Sequence, residues 1–141
     1  LDPQFPLFPL DPPWLRVLKP LLSHTDILFI DESEALGVSG AGTLEGAMKI
    51  LSKIGVSRIA VKLGEKGCLV FDEEKWIHQP AIKPAIFVDS IGAGDSFDVG
   101  FLYGILRGYK PQKAAELATY AASKTIEGVG ATNFPRREDL M

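Results

Sequence analysis

The sequence predicts an α/β fold in which a largely parallel sheet is flanked by helices. Short apolar runs of strand length alternate along the chain with longer stretches whose apolar residues recur at helical spacing. The 141 residues, 46% hydrophobic and 23% charged, have the composition of one compact globular unit.

The elements follow in order. Prolines crowd the opening "LDPQFPLFPLDPP", which has no initiator methionine and reads as an irregular connection, expected to come from the middle of something longer. "PPWLRVLKPLLS" spaces Trp14, Leu15, Leu18, Leu21 and Leu22 as a helix, and the apolar run "DILFI" bounded by polar residues reads as a buried strand. "TLEGAMKILSKIG" lines Leu44, Ala47, Met48 and Leu51 along one helix face and stops at Gly55. "SRIAVKL" and "GCLVFD" are strands joined by a tight "GEKG" turn, with "KWIHQ" a third and "IFVD" at 86 to 89 a short fourth. Two helices close the chain. "DSFDVGFLYGILRG" carries an inward stripe of Phe97, Phe101, Leu102, Ile105 and Leu106, and "PQKAAELATYAASKTIEG" starts at Pro111 and stops at Gly128. The small residues Gly100 and Gly104 suit close packing against the sheet.

Composition excludes several functions. A net charge of −3 without a basic stripe argues against a nucleic-acid binder. No apolar run reaches membrane-span length and no leader is visible, so a cytoplasmic protein without a membrane partner is expected. The single cysteine, Cys68, lies in "CLVF" and reads as a buried small hydrophobe. His24 and His78 have no companion at metal-ligand spacing.

The informative stretch is "DSIGAGDSF" at 89 to 97. Its glycines fall between the carboxyl end of "IFVD" and the start of a helix, where unpaired backbone N–H groups and the helix dipole attract an anion, most commonly phosphate. A carboxylate beside an anion would repel it unless it had another task. Asp95 suits the proton acceptor of a phosphoryl transfer, with a helix cap as the plainer alternative. Asp98, one turn on, either assists Asp95 or belongs to a solvated face. "GEKGCL" lacks Walker-loop glycine spacing, and "GVSGAG" is not placed between strand and helix as a dinucleotide fingerprint must be.

These residues resemble the C-terminal signature of the PfkB carbohydrate kinases of the ribokinase-like superfamily, D-[TS]-x-G-A-G-D-x-F. Further segments resemble that family in its order: "LDPQ" a D-x-N strand end, "DILFIDESEALGVSG" the N-x-x-E segment, "VKLGEKGCLV" the nucleotide-side turn and "GVGATNFP" the closing loop. The resemblance implies a ribokinase-like fold, with residues 1–141 forming the C-terminal nucleotide-binding part and the N-terminal half and lid absent.

It further implies Asp95 as general base and Gly92, Ala93 and Gly94 as anion hole. Glu34 matches the N-x-x-E glutamate that organises Mg2+ and phosphate, and Asp31 stands where that motif has asparagine, with a helix cap as its other reading. Lys62, Gly64 and Gly67 match the turn beside the nucleotide phosphates and ribose, and Thr119 falls where the last long helix lines the adenine. Asp89 and the Ile91 carbonyl match part of a monovalent-cation site, such as one for K+.

The implied activity is ATP-dependent phosphorylation of a hydroxyl on a sugar or related small molecule, with this chain inactive by itself and a homodimer left open. A vitamin-type kinase is a variant of that reading, although such enzymes more often have threonine in place of Ala93. A nucleotide-binding module or degenerate regulator without catalysis is the alternative from another class.

Overall fold

The computed structural model describes residues 1–4 and 14–140, so most of the connection expected over residues 1–13 lies outside the described residues. Helices α1 (Leu15–Leu22), α2 (Glu32–Ser39), α3 (Leu44–Leu51), α4 (Ala93–Leu106) and α5 (Pro111–Thr125) accompany strands β1 (Ile27–Asp31), β2 (Arg58–Lys62), β3 (Cys68–Asp72) and β4 (Lys75–Gln79). None of these helices is long and apolar enough to cross a membrane.

The sheet has the order β1-β2-β3-β4. β1 and β2 are parallel, with Ile27 opposite Arg58 and Asp31 opposite Lys62. The connections from β2 to β3 and from β3 to β4 are too short for a crossover, which makes those pairs antiparallel and the sheet mixed. β1 and β2 each carry three consecutive buried residues, the pattern of strands covered on both faces.

The chain divides into two compact units. The first comprises residues 1–63 and 69–77, the second residues 64–68 and 78–141.

The first unit is built on β1, β2 and helices α1 to α3. Its core gathers Leu28, Ile30, Val38, Leu51, Ile59 and Val61. Leu51 is 1% exposed, and burying such a side chain stabilises by about 2 kcal/mol. Trp14 lies over Gly37, whose missing side chain leaves the room: a Cβ there would meet Trp14 Cζ2 at 2.7 Å. The helix face expected on α1 is only partly buried, since Leu22 is 3% but Leu21 55% exposed. The face expected on α3 is present, with Ala47 and Leu51 buried and Leu44 and Met48 half-buried. Between β3 and β4, Glu73 and Glu74 turn the chain with φ of 46° and 64°, flanked by the tilted ring pair Phe71–Trp76 at 5.2 Å.

The second unit is dominated by α4 against α5. A Cβ on Gly100 would meet Ala118 Cα at 2.9 Å, and one on Gly104 would meet Ala114 Cα at 2.7 Å. The two glycines therefore bring α4 onto α5, where the sequence suggested packing on the sheet. This turns α4 so that Phe97 and Phe101 are buried while Leu102 (39%) and Leu106 (84%) are exposed, which corrects the expected inward stripe.

Two further expectations change. Residues 86–89 form no strand, because the Val88 and Asp89 N–H groups both donate to the Ile126 carbonyl instead of to a ladder. α5 ends at Thr125, and Gly128 gives close approach to the Asn133 side chain rather than a helix stop.

Candidate active site

The turn before α4 has the backbone geometry that its glycines suggested. Gly92 is the N-cap in the left-handed region (φ 81°), and its own carbonyl accepts the first helical bond from the Ser96 N–H at 3.0 Å. A Cβ on Gly92 would meet Ala131 Cβ at 2.9 Å, so glycine also lets the 129–131 segment close over the turn. Ala93 and Gly94 are the first two helical residues, and no side chain caps the helix. Neither the Gly94 nor the Asp95 N–H finds an acceptor among the described residues. These are the donors that a helix N-terminus offers an anion.

Asp95 lies in that first turn, exposed, with no hydrogen bond or ion pair among the described residues. It is therefore no cap, and its oxygens are available to a proton donor. Ser96, beside it, is buried, and its hydroxyl meets that of Thr125 at 2.6 Å.

Asp89 is a staple. Its Oδ1 accepts the Ile91 N–H at 3.0 Å and its Oδ2 the Gly130 N–H at 2.8 Å. The Ile91 N–H, then that of Gly130, hold the Asp89 carboxyl below its usual value. Asp89 and the Ile91 carbonyl are hard oxygen donors of the kind a cation takes, with each Asp89 oxygen already accepting one N–H. Thr119, in α5, is buried, and its hydroxyl donates to its own helix at Ala115 O (3.1 Å) and Glu116 O (2.9 Å).

The turn after β2 also belongs largely to the second unit. Gly64 (φ 58°) opens a 3-10 turn that Gly67 (φ 92°) closes, with the Gly67 N–H donating to the Gly64 carbonyl at 3.0 Å. A Cβ on Gly67 would collide with the Gln79 carbonyl and stand 2.5 Å from the Ala81 nitrogen. His78 Nε2 bonds the Lys66 carbonyl at 2.9 Å, holding the turn from β4. Burial pushes the neighbouring Cys68 thiol up to about 12, so Cys68 is an inert core residue.

In the first unit, the carboxyl ends of β1 and β2 gather Asp2, Asp31, Glu34 and Lys62. Asp31 caps α2 in a reciprocal box: its Oδ1 accepts the Glu34 N–H at 2.7 Å, and Glu34 Oε2 accepts the Asp31 N–H at 2.8 Å. Lys62 pairs with Asp2 at 3.0 Å. Burial above all raises the Glu34 carboxyl from 4.5; the Asp31 N–H opposes the rise, the Asp31 and Asp2 charges add to it, and Lys62 lowers it.

The donor set fits Mg2+ only in one manner. No group of three or more His, Cys, Asp or Glu side chains stands together as an ion site among the described residues. Asp31 and Glu34 each have one oxygen engaged in the cap, leaving single oxygens to reach an ion or its waters. Mg2+ held mainly by phosphate and water, with a carboxylate at its edge, is compatible with that arrangement.

Comparison with known proteins then decides the family: the model of the pfkB family carbohydrate kinases matches residues 4–138. The chain belongs to that family. Within it, a cytidine kinase from Thermococcus kodakarensis is 35% identical over 116 residues, which cover 81% of this chain and 41% of that protein. A fructoselysine 6-kinase from Escherichia coli K12 is 38% identical over 111 residues, covering 79% of this chain and 40% of the relative. The solved structure of Arabidopsis thaliana ribokinase complexed with ribose and ATP superposes with a TM-score of 0.79 at 32% identity, covering 86% of this chain and 41% of that one. The chain thus spans about two fifths of the length of these pfkB relatives. The likeness shows a ribokinase-like α/β fold for it.

Sequence reasoning found the glycine turn and missed what holds it. Thr125, Gly130 and Ala131 lie far from "DSIGAGDSF" in sequence, and no periodicity marks them as its neighbours. The Asp31–Glu34 box did have a signal, an acidic cap followed three residues later by glutamate.

Proposed function

We propose that this chain is the C-terminal, nucleotide-binding and catalytic part of an ATP-dependent kinase that phosphorylates a hydroxyl of a sugar or sugar-like small molecule. The observation that carries the reading is the start of α4: an uncapped helix N-terminus, opened by Gly92 and Gly94, with the exposed Asp95 carboxylate in its first turn. Membership of the pfkB family and the ATP bound to a related ribokinase support it.

In this mechanism the substrate hydroxyl oxygen attacks the γ-phosphorus of ATP. A new P–O bond forms, the bond to the β,γ-bridging oxygen breaks, and ADP leaves with that electron pair. Asp95 takes the hydroxyl proton, which raises the nucleophilicity of the oxygen as it attacks. The Gly94 and Asp95 N–H groups and the α4 dipole stabilise the charge that develops on the transferred phosphoryl group. Gly64, Gly67 and Lys62 are assigned to the nucleotide phosphates and ribose, and Thr119 to the helix that lines the adenine.

Mg2+, when bound, would neutralise phosphate charge, with Asp31 and Glu34 as the residues that hold it through oxygen or water. Asp89 and the Ile91 carbonyl would hold a monovalent cation such as K+. The names of the relatives, a cytidine kinase and a fructoselysine 6-kinase among them, support a small-molecule acceptor.

The test is ADP release by the full protein containing this chain, measured against a panel of sugars and nucleosides. Asp95→Asn should lower kcat by about 10²-fold or more while ATP still binds, because the proton acceptor is lost and the N–H groups are not. Normal turnover in that variant would remove Asp95 from the role of base.

A further inference from the structure

We propose that Ser96 and Thr125 are a positioning pair for phosphoryl transfer: their buried hydrogen bond fixes the rotation of the first turn of α4, and so aims the Asp95 carboxylate and the Gly94 and Asp95 N–H groups. The inference rests on Asp95 acting as base.

The two hydroxyls meet at 2.6 Å, in residues that are 3% and 0% exposed. Thr125 Oγ1 lies 3.1 Å from the Ala121 carbonyl and donates its only hydrogen there. Ser96 must then be the donor to Thr125, giving a directed chain from Ser96 through Thr125 to the α5 backbone. Hydrogen bonds in such a chain polarise one another, and the low dielectric strengthens them further.

Farther along, α4 meets α5 through Gly100 against Ala118 and Gly104 against Ala114. Contacts between small apolar groups set the distance between two helices but allow rotation and sliding. A hydrogen bond has direction, and this one sits at the residue following Asp95. Two apolar side chains of the same shape would fill the space with nearly equal stability, so the hydroxyls add orientation rather than energy.

That distinction supplies the test, made on the full protein with Asp95→Asn as reference. Ser96→Ala and Thr125→Val should each lower kcat about tenfold while KM for ATP stays within about twofold, since small misplacements of reacting groups are costly. The double variant should lose no more kcat than either single variant, because one interaction is removed in all three. Its melting temperature should recover toward the parent, as no buried hydroxyl is left without its partner, while its kcat stays low. Ser96→Thr, which keeps the donor, should restore kcat.

Recovery of kcat together with melting temperature in the double variant would make the pair structural and overturn the proposal. So would parental kcat in folded Thr125→Val when Asp95→Asn is impaired; that isosteric change also serves if Ser96→Ala does not fold. Parental kcat in Asp95→Asn would remove the base, and with it the role of the pair.

Discussion

The Asp89 carboxylate joins two segments 41 residues apart, accepting the Gly130 N–H at 2.8 Å on one oxygen and the Ile91 N–H at 3.0 Å on the other. It ties the 129–131 segment to the glycine turn, where Ala131 packs against Gly92. Both bonds favour the ionised form, so the folded-state pKa lies below the ordinary 3.8. The stabilisation is therefore present above the unfolded value and is lost as pH falls through the lower folded one. Hydrogen exchange at the Gly130 amide should accelerate as pH falls below about 4 after correction for intrinsic rates, and Asp89→Ala should show the fast rate at neutral pH. Unchanged Gly130 protection in Asp89→Ala would mean that the staple holds nothing.

Glu34 carries the opposite sign. Burial raises its pKa, so the folded protein binds a proton more readily than the unfolded chain, and this group makes stability fall as pH rises from its ordinary 4.5 through the folded value. Glu34→Gln retains an acceptor for the Asp31 N–H without the buried charge. It should raise the melting temperature at pH 7 and flatten its dependence between pH 4.5 and neutrality. A lower melting temperature at pH 7 would show that Lys62 outweighs the burial of the charge.

Much of the architecture was legible because it rests on local patterns. The apolar runs at β1 and β2, the spacing on α3 and the proline start of α5 each encode their element within a few residues. Expectations failed where neighbours decide the outcome. "IFVD" has strand composition, but a strand needs a ladder, and its amides turn to a single carbonyl, leaving Ile86 and Phe87 more than half exposed. Leu102 and Leu106 have helical spacing, yet the glycine edge of α4 is the one that α5 accepts. At the site, the donors of the glycine turn could be read locally, whereas Thr125 and Gly130 could not, because long-range hydrogen bonds leave no periodic trace.

The Glu73–Glu74 turn is open to improvement. Both residues have positive φ, the conformation of a two-residue hairpin loop that favours Asn-Gly, and each non-glycine residue there costs about 1 kcal/mol. Combining Glu73→Asn with Glu74→Gly should stabilise the protein by about 1 kcal/mol, read from chemical denaturation with an unchanged m-value. Loss of stability would show that one of the glutamates makes a contact worth more than the backbone strain.

The last prediction separates two glycines that the sequence presents as equivalents. Gly92 bears the positive φ and the Ala131 contact, whereas Gly94 is already helical, so its smallness is not needed for backbone conformation. Gly92→Ala should therefore destabilise the fold by about 1 to 2 kcal/mol from the left-handed conformation, with the closeness of Ala131 adding to it. Gly94→Ala should instead bring no left-handed strain, and alanine is the better helix former. Its effect should fall on the ligand. A methyl group beside the Gly94 N–H obstructs an approaching phosphate, so binding of a triphosphate should weaken while adenosine, which has no phosphate to place there, binds as before. Denaturation curves and calorimetric titrations of the two variants distinguish these outcomes. If a folded Gly94→Ala protein bound ATP and adenosine as its parent does, the turn would owe its glycines to packing, and the phosphate would have to be held elsewhere.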